Sequence, residues 1–101
     1  MSLDVNYSED VFCDLQETGC YLRRRNAELG LRFTIKVRET CEYLSENPFI
    51  GQPRPDLGVG MRSWPVKGFR RYLIFYVPSD TRLQVMRVLH GSRNVSSQIN
   101  P

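Results

Sequence analysis

No stretch of this 101-residue chain approaches the roughly 20 consecutive apolar positions that a membrane-spanning helix needs. Its first residues, MSLDVNYSED, hold neither the basic nor the apolar segment of an export signal, so the cytoplasm is the expected compartment and no membrane contact is expected. Cysteine is scarce. Cys13, Cys20 and Cys41 are an odd number without a CxxC pair, and the first two stand about two helical turns apart, too far to bridge. They are expected to be reduced residues of the core or its boundary. His90 is the only histidine, which leaves no metal-ligand spacing, and neither a metal nor another cofactor is expected. The glycines of IGQPRPDLGVG (50–60) alternate with prolines and are not followed by Lys-Ser/Thr, so there is no phosphate-cradling loop.

What is present suffices for one domain: 101 residues, 41% of them hydrophobic, can bury one core but not two. Charge is unevenly placed. Residues 1–50 hold six Lys/Arg against nine Asp/Glu, and residues 51–101 hold eight against two, so the second half carries the positive charge. Such asymmetry fits a face that meets an acidic partner, or simply a solvated surface.

The segment FRRYLIFYVPSDTRLQVMRVLHGSR (69–93) reads as a hairpin, two apolar runs around Pro78-Ser79-Asp80-Thr81. Its first strand is apolar on both faces and is expected to be central in the sheet. Ahead of it, Leu3 to Tyr7 alternates as a short strand, and Ser8 with Glu9 and Asp10 is expected to cap a first helix. Phe12, Leu15, Gly19 and Leu22 form the apolar stripe of that helix, which ends at Arg23-Arg24-Arg25. After Asn26, a stripe of Leu29, Phe33, Val37, Cys41 and Leu44 predicts a second helix, stopped at Asn47-Pro48. Segment 48–60 reads as a loop pinned by Phe49 and Ile50, and residues 61–66 as a strand made irregular by Pro65. The order β-α-α-β-β-β predicts an α+β domain, a helical hairpin packed on a small, mainly antiparallel sheet. The tail from Asn94 reads as a short turn or as disordered.

The ordered combination of a leading strand ending in Tyr-Ser, a helical hairpin closing in ENP, the loop IGQPRPDLGVGMRSWPV, the strand RYLIFY and the ending VMRVLHGSRN resembles the ParE branch of the RelE/ParE toxin superfamily. The likeness spans almost the whole chain, and RYLIFY with VLHG-x-R is its most specific part. It implies the toxin half of a type II toxin–antitoxin pair, silenced by a ParD-like antitoxin and acting on DNA gyrase, with DNA met only through the antitoxin. On that resemblance, Arg62, Trp64, Arg71, Tyr72, Arg87, His90 and Arg93 are the expected target-binding residues. Leu15, Leu22, Phe33 and Val37 are the expected antitoxin-binding residues.

The RelE branch instead cuts messenger RNA on the ribosome. A metal-free nuclease needs a proton acceptor, positive charge beside the phosphate and a proton donor, which His90, Arg71 and Arg87 can supply, with Tyr72 or Tyr76 orienting the nucleotide. RelE-type enzymes, however, carry a dense Lys/Arg cluster and a C-terminal acid/base residue. Here the tail after Arg93 has no tyrosine, histidine, lysine or acid, and Lys67 is the only lysine in the second half. The expectation is therefore a toxin without catalysis of its own, beside two alternatives: the nuclease, and a non-toxic regulatory member. Bland readings stand for single residues as well. His90 can be a structural imidazole, Arg71 and Arg87 can pair with Asp14 or Glu17, and Trp64 can be a filler of the core or sheet edge.

Overall fold

The computed structural model describes residues 2–92 and 95–99. Its elements are β1 (Asp4–Tyr7), α1 (Glu9–Arg25), α2 (Ala27–Glu46), β2 (Gln52–Pro53), β3 (Arg62–Val66), β4 (Phe69–Pro78), β5 (Arg82–His90) and α3 (Val95–Ile99). The strands form one sheet in the order β1-β5-β4-β3-β2. β1 runs parallel to β5 and every other pairing is antiparallel. The α+β architecture read from the sequence is the observed one, with a two-residue strand β2 inside the proline-rich loop and the short α3 added to it.

β4 is central, and both of its faces are covered. Ile74 and Tyr76 face the helical hairpin together with Leu83, Val85, Val88, Phe33, Val37 and Leu44. Phe75 points to the other face, into a smaller cluster of Leu57, Met61, Leu89 and Val95 supplied by the loop and α3. Lys67 and Gly68 turn β3 into β4, and Gly68 adopts φ +82°, a region that glycine enters without strain. The β3–β4 register slips between Pro65 and Val66, as the missing amide hydrogen of proline requires.

Three local expectations are corrected. Ser8 does not cap α1 through its side chain. Its hydroxyl donates to the Met86 carbonyl at 2.7 Å and its amide to Val85 O at 3.0 Å, so it extends the β1–β5 contact instead. The loop after α2 is not pinned by Phe49 and Ile50, both of which are exposed. It is held by Tyr76, whose buried hydroxyl donates to Pro48 O at 2.9 Å and accepts from Gly51 N at 3.0 Å. Arg62 completes the clamp through Phe49 O and Gly51 O at 3.0 and 2.8 Å. Tyr76 therefore belongs to the core and cannot orient a nucleotide. Finally, Phe12 lies outside the core at 62% exposed, and the buried stripe of α1 runs through Val11, Asp14, Gly19 and Leu22.

The inward position of Asp14 has a specific cause. β1 pairs with β5 only over Arg82 to Val85, so the β5 edge beyond that point lacks a strand neighbour. Asp14 takes its place. One carboxylate oxygen accepts from Val88 N at 3.0 Å and from Arg87 Nε at 2.8 Å, and the other accepts from Arg87 Nη2 at 2.7 Å. A buried carboxylate is tolerable only with its lone pairs used in this way. The helices also tie to each other and to the sheet through small groups. Gly30 packs against Gly19 O and the Arg23 stem where α1 and α2 cross, and an added Cβ would stand 2.8 Å from that carbonyl. Thr40 Oγ1 donates to Lys36 O at 2.6 Å and accepts from Lys67 N at 3.1 Å, anchoring the β3–β4 turn to α2.

Cys41 is fully buried, and burial pushes its thiol up to about 12. Tyr7 is also raised, first by burial and then by the nearby Cys41.

Two predictions follow from these contacts. Asp14→Ala leaves an uncompensated Arg87 and an unpaired Val88 amide, and is expected to destabilise the fold by about 3 kcal/mol in urea denaturation. A loss below about 0.5 kcal/mol, the usual range for surface changes, would contradict the role given to Asp14. The Cys41 thiol ionises in the unfolded chain near its ordinary value of 9 but in the folded chain only near 12, so the unfolded state binds fewer protons between them. Stability is expected to fall as pH rises across that window, and Cys41→Ala should flatten the fall in a series of thermal melts.

Candidate functional site

The residues singled out in the sequence separate into two groups. Arg71, Tyr72 and His90 come together where the start of β4 meets the end of β5, since Tyr72 is the register partner of His90. With Thr18, Tyr21 and Arg25 of α1 they line a cleft of about 380 Å³ that lies between the end of that helix and the sheet. Leu22 and Val88 supply the apolar part of its floor. Arg62 and Trp64 belong elsewhere. Arg62 pairs with Tyr76, four residues along β4 from Tyr72, or about 13 Å at the usual strand rise. Its guanidinium is occupied by the loop carbonyls, with its carbon 5.3 Å from the Phe49 ring centroid. Trp64 packs beside Tyr43 at 6.2 Å and against the core cluster, which is the filler role weighed for it above. Arg93 lies outside the described residues.

Arg87 does not line the cleft; it is bound to Asp14, which does. Two of its nitrogens hold Asp14, and the third donates to Gln98 O of α3 at 2.8 Å. The hydrogen bond to Asp14 raises its already high pKa further, fixing the charge in place. A guanidinium with all three nitrogens engaged is a structural tie between α1, β5 and α3. The trio His90, Arg71 and Arg87 required for phosphate cleavage is thus not assembled, because only His90 and Arg71 are among the residues that line the cleft.

His90 is held from two sides. Its ring meets Tyr72 edge-on at 5.0 Å and 83°, and Tyr72 in turn meets Phe33 at 5.0 Å, so a line of aromatic contacts runs from the core to the cleft. Nδ1 accepts from Ser92 N at 3.1 Å, with Ser92 Oγ 2.6 Å away. An accepting Nδ1 places the proton of the neutral ring on Nε2, which makes His90 a hydrogen-bond donor there.

Of the residues expected to form an apolar docking groove, Leu22, Phe33 and Val37 are buried and hold the hairpin on the sheet. Leu15 is partly buried and reaches a shallow groove between the helices, together with Gly19, Gly30 and Leu31. The large hydrophobic side chains exposed on this hairpin are Phe12, Tyr21, Leu31, at 66% exposed, Ile35 and Tyr43. Tyr21 and Arg25 went unrecognised as site residues in the sequence. Their four-residue spacing on one helix face was the available signal, but a triple arginine at a helix end has a sufficient explanation in the helix dipole. Among the described residues, no helix is long and apolar enough to cross a membrane.

Comparison with known proteins places this geometry in a family. Residues 5–95 match the family described as ParE toxin of type II toxin–antitoxin system, parDE. The chain is 28% identical over 87 residues to Toxin ParE1 of Caulobacter vibrioides (strain ATCC 19089 / CIP 103742 / CB 15), covering 85% of this chain and 86% of that protein. Its fold superposes with a TM-score of 0.71 on a structure of the chromosomal ParDE toxin–antitoxin system from P. aeruginosa, over 88% of this chain and 96% of the other, at 16% identity. The family match runs from the second residue of β1 to the first of α3, and the chain belongs to the ParE toxin family of type II toxin–antitoxin systems.

Proposed function

We propose that this toxin is neutralised by a ParD-like antitoxin and, when free of it, acts on DNA gyrase in the cytoplasm without chemistry of its own. The family match over residues 5–95 carries this reading. The description of the structural neighbour as a ParDE system supports the partner. Two features of the chain fit. The cationic end at Arg71, with Tyr72 and His90 beside it, is a rigid surface of the residue types enriched at binding hot spots. The outer face of the hairpin, with Leu31 and Ile35 beside the groove at Leu15, is the apolar surface that an amphipathic antitoxin helix would cover. The messenger-cleaving alternative is disfavoured by Arg87, each of whose three nitrogens donates within the fold.

Purified toxin freed of antitoxin is expected to inhibit gyrase supercoiling, and Arg71→Ala to weaken that inhibition several-fold at unchanged stability. Undiminished supercoiling at excess folded toxin would remove gyrase as the target. Leu31→Arg is expected to leave the melting curve nearly unchanged, since the side chain is exposed, and to weaken binding of the ParD-like antitoxin at least tenfold by calorimetry. Unchanged antitoxin affinity would move the docking face away from this part of the hairpin.

A further inference from the structure

We propose that the cleft between α1 and the β4–β5 end is a nucleotide-binding site, taking a base on its aromatic side and a phosphate on its arginine side. Neither the gyrase target nor the antitoxin enters this inference.

Three observations converge on that ligand. The first is a platform. The Arg25 guanidinium carbon lies 6.0 Å from the Tyr21 ring centroid and Nη1 is 3.4 Å from the Tyr21 hydroxyl, while the tyrosine is 52% exposed. A flat, half-exposed tyrosine–arginine pair is a surface on which a base stacks irrespective of its identity. The second is guanidinium charge that no carboxylate neutralises among the described residues. Among the described residues no ion pair uses Arg25 or Arg71, and the two reach the same cleft from different elements, one from the end of a helix and one from the start of a strand. Asp14, in the same lining, is already neutralised by Arg87, so it does not oppose an anion. The third is an oriented ring donor. His90, steadied by Tyr72 and with its Nδ1 accepting from Ser92 N, has Nε2 left to donate to an oxygen.

The shape of the cleft discriminates between anions. Its volume of about 380 Å³ lies within the range of small-molecule sites, and it has an apolar floor. A bare phosphate would leave that floor and the Tyr21 platform uncovered, and an acidic side chain brings no flat group to lie on it. A nucleoside phosphate uses all three parts. Glu17, also in the lining and within the field of Arg87, sets the polarity, since the phosphate is driven away from it toward Arg71. The same chemistry is offered by a free nucleoside triphosphate and by one nucleotide of an unpaired strand.

Calorimetry on the purified, antitoxin-free chain tests this with ATP, a short 5′-phosphorylated oligothymidylate and sodium phosphate as separate titrants. At least one nucleotide titrant is expected to bind, with sodium phosphate at least tenfold weaker. Whichever of ATP and the oligonucleotide binds more tightly identifies the source. Arg71→Ala and Tyr21→Ala, both at exposed positions, are each expected to weaken nucleotide binding at least tenfold while keeping the parent melting curve. Arg82→Ala removes an exposed arginine at the far end of β5 and should change nothing. The proposal is overturned if neither nucleotide binds at millimolar concentration, or if sodium phosphate binds as tightly as they do. It is equally overturned if Arg82→Ala weakens binding as much as Arg71→Ala, which would reveal only diffuse attraction to a basic surface. Gyrase is absent from every arm, so failure here is distinguishable from failure of the target assignment.

Discussion

One carboxylate joins the two layers of this molecule. Asp14 receives three donors from β5 at the point where the sheet has no further strand on that side, and so acts as a replacement strand edge for the Val88 amide. Beta sheets leave a row of unpaired donors and acceptors wherever a neighbour ends early, and these must be covered or satisfied. Here β1 ends at Tyr7, while β5 continues for another five residues. The bulge in β5 opposite Phe75 and Tyr76, where Met86 is the extra residue, falls at the same place. A bulge bends the strand and redirects a side chain. Arg87 emerges immediately after it, aimed at α1.

Consequences for the site follow from what that arrangement uses up. Arg87 is withdrawn from any external anion, and the negative charge of Asp14 is withdrawn with it. The cleft nearby is then controlled by Arg25, Arg71 and His90 rather than by the full set of cations that the sequence places near the sheet. The opposite end of the sheet is tied down similarly. Tyr76 and Arg62 hold the carbonyls and amide of the loop 48–51, and Gly51 is required there because a Cβ would collide with the Tyr76 hydroxyl. Two polar clamps, one on either side of β4 at the level of Phe75 and Tyr76, leave that strand little freedom to shift register.

Much of this architecture was legible in the sequence, and the reasons for the exceptions are physical. The two-sided apolar pattern of RYLIFY identified the central strand, Asn47-Pro48 ended the second helix, and Pro65 announced an irregularity. These are local signals, written in the preferences of consecutive residues. The site depended on long-range ones. The sequence offered Asp14 as one of two acids that Arg87 could meet, but not its burial, which is decided by that arginine 73 positions away. Phe12 looks like a core residue, because an apolar side chain one position from the true stripe is indistinguishable from a member of it. Leu22, Phe33 and Val37 were correctly apolar and incorrectly assigned to a docking face, since hydrophobicity does not say whether the surface it needs is the protein's own or a partner's. Arg71 and Arg87 read alike in the sequence, and only the geometry shows that, among the described residues, Arg87 is in an ion pair and Arg71 is not.

The aromatic line from Phe33 through Tyr72 to His90 explains why the free cations and the ring donor remain organised at an exposed strand end. Edge-on aromatic pairs contribute on the order of 0.5–1.5 kcal/mol each beyond area burial, and their geometry is directional. Phe33 is fixed by the core, so Tyr72 inherits a defined orientation from it, and His90 from Tyr72. A strand terminus without such contacts would fray, and its side chains would sample many rotamers that an incoming ligand must then restrict. The chain therefore uses residues of its hydrophobic core to pre-organise a polar rim. The buried helix face thereby steadies the exposed strand end through the sheet it supports.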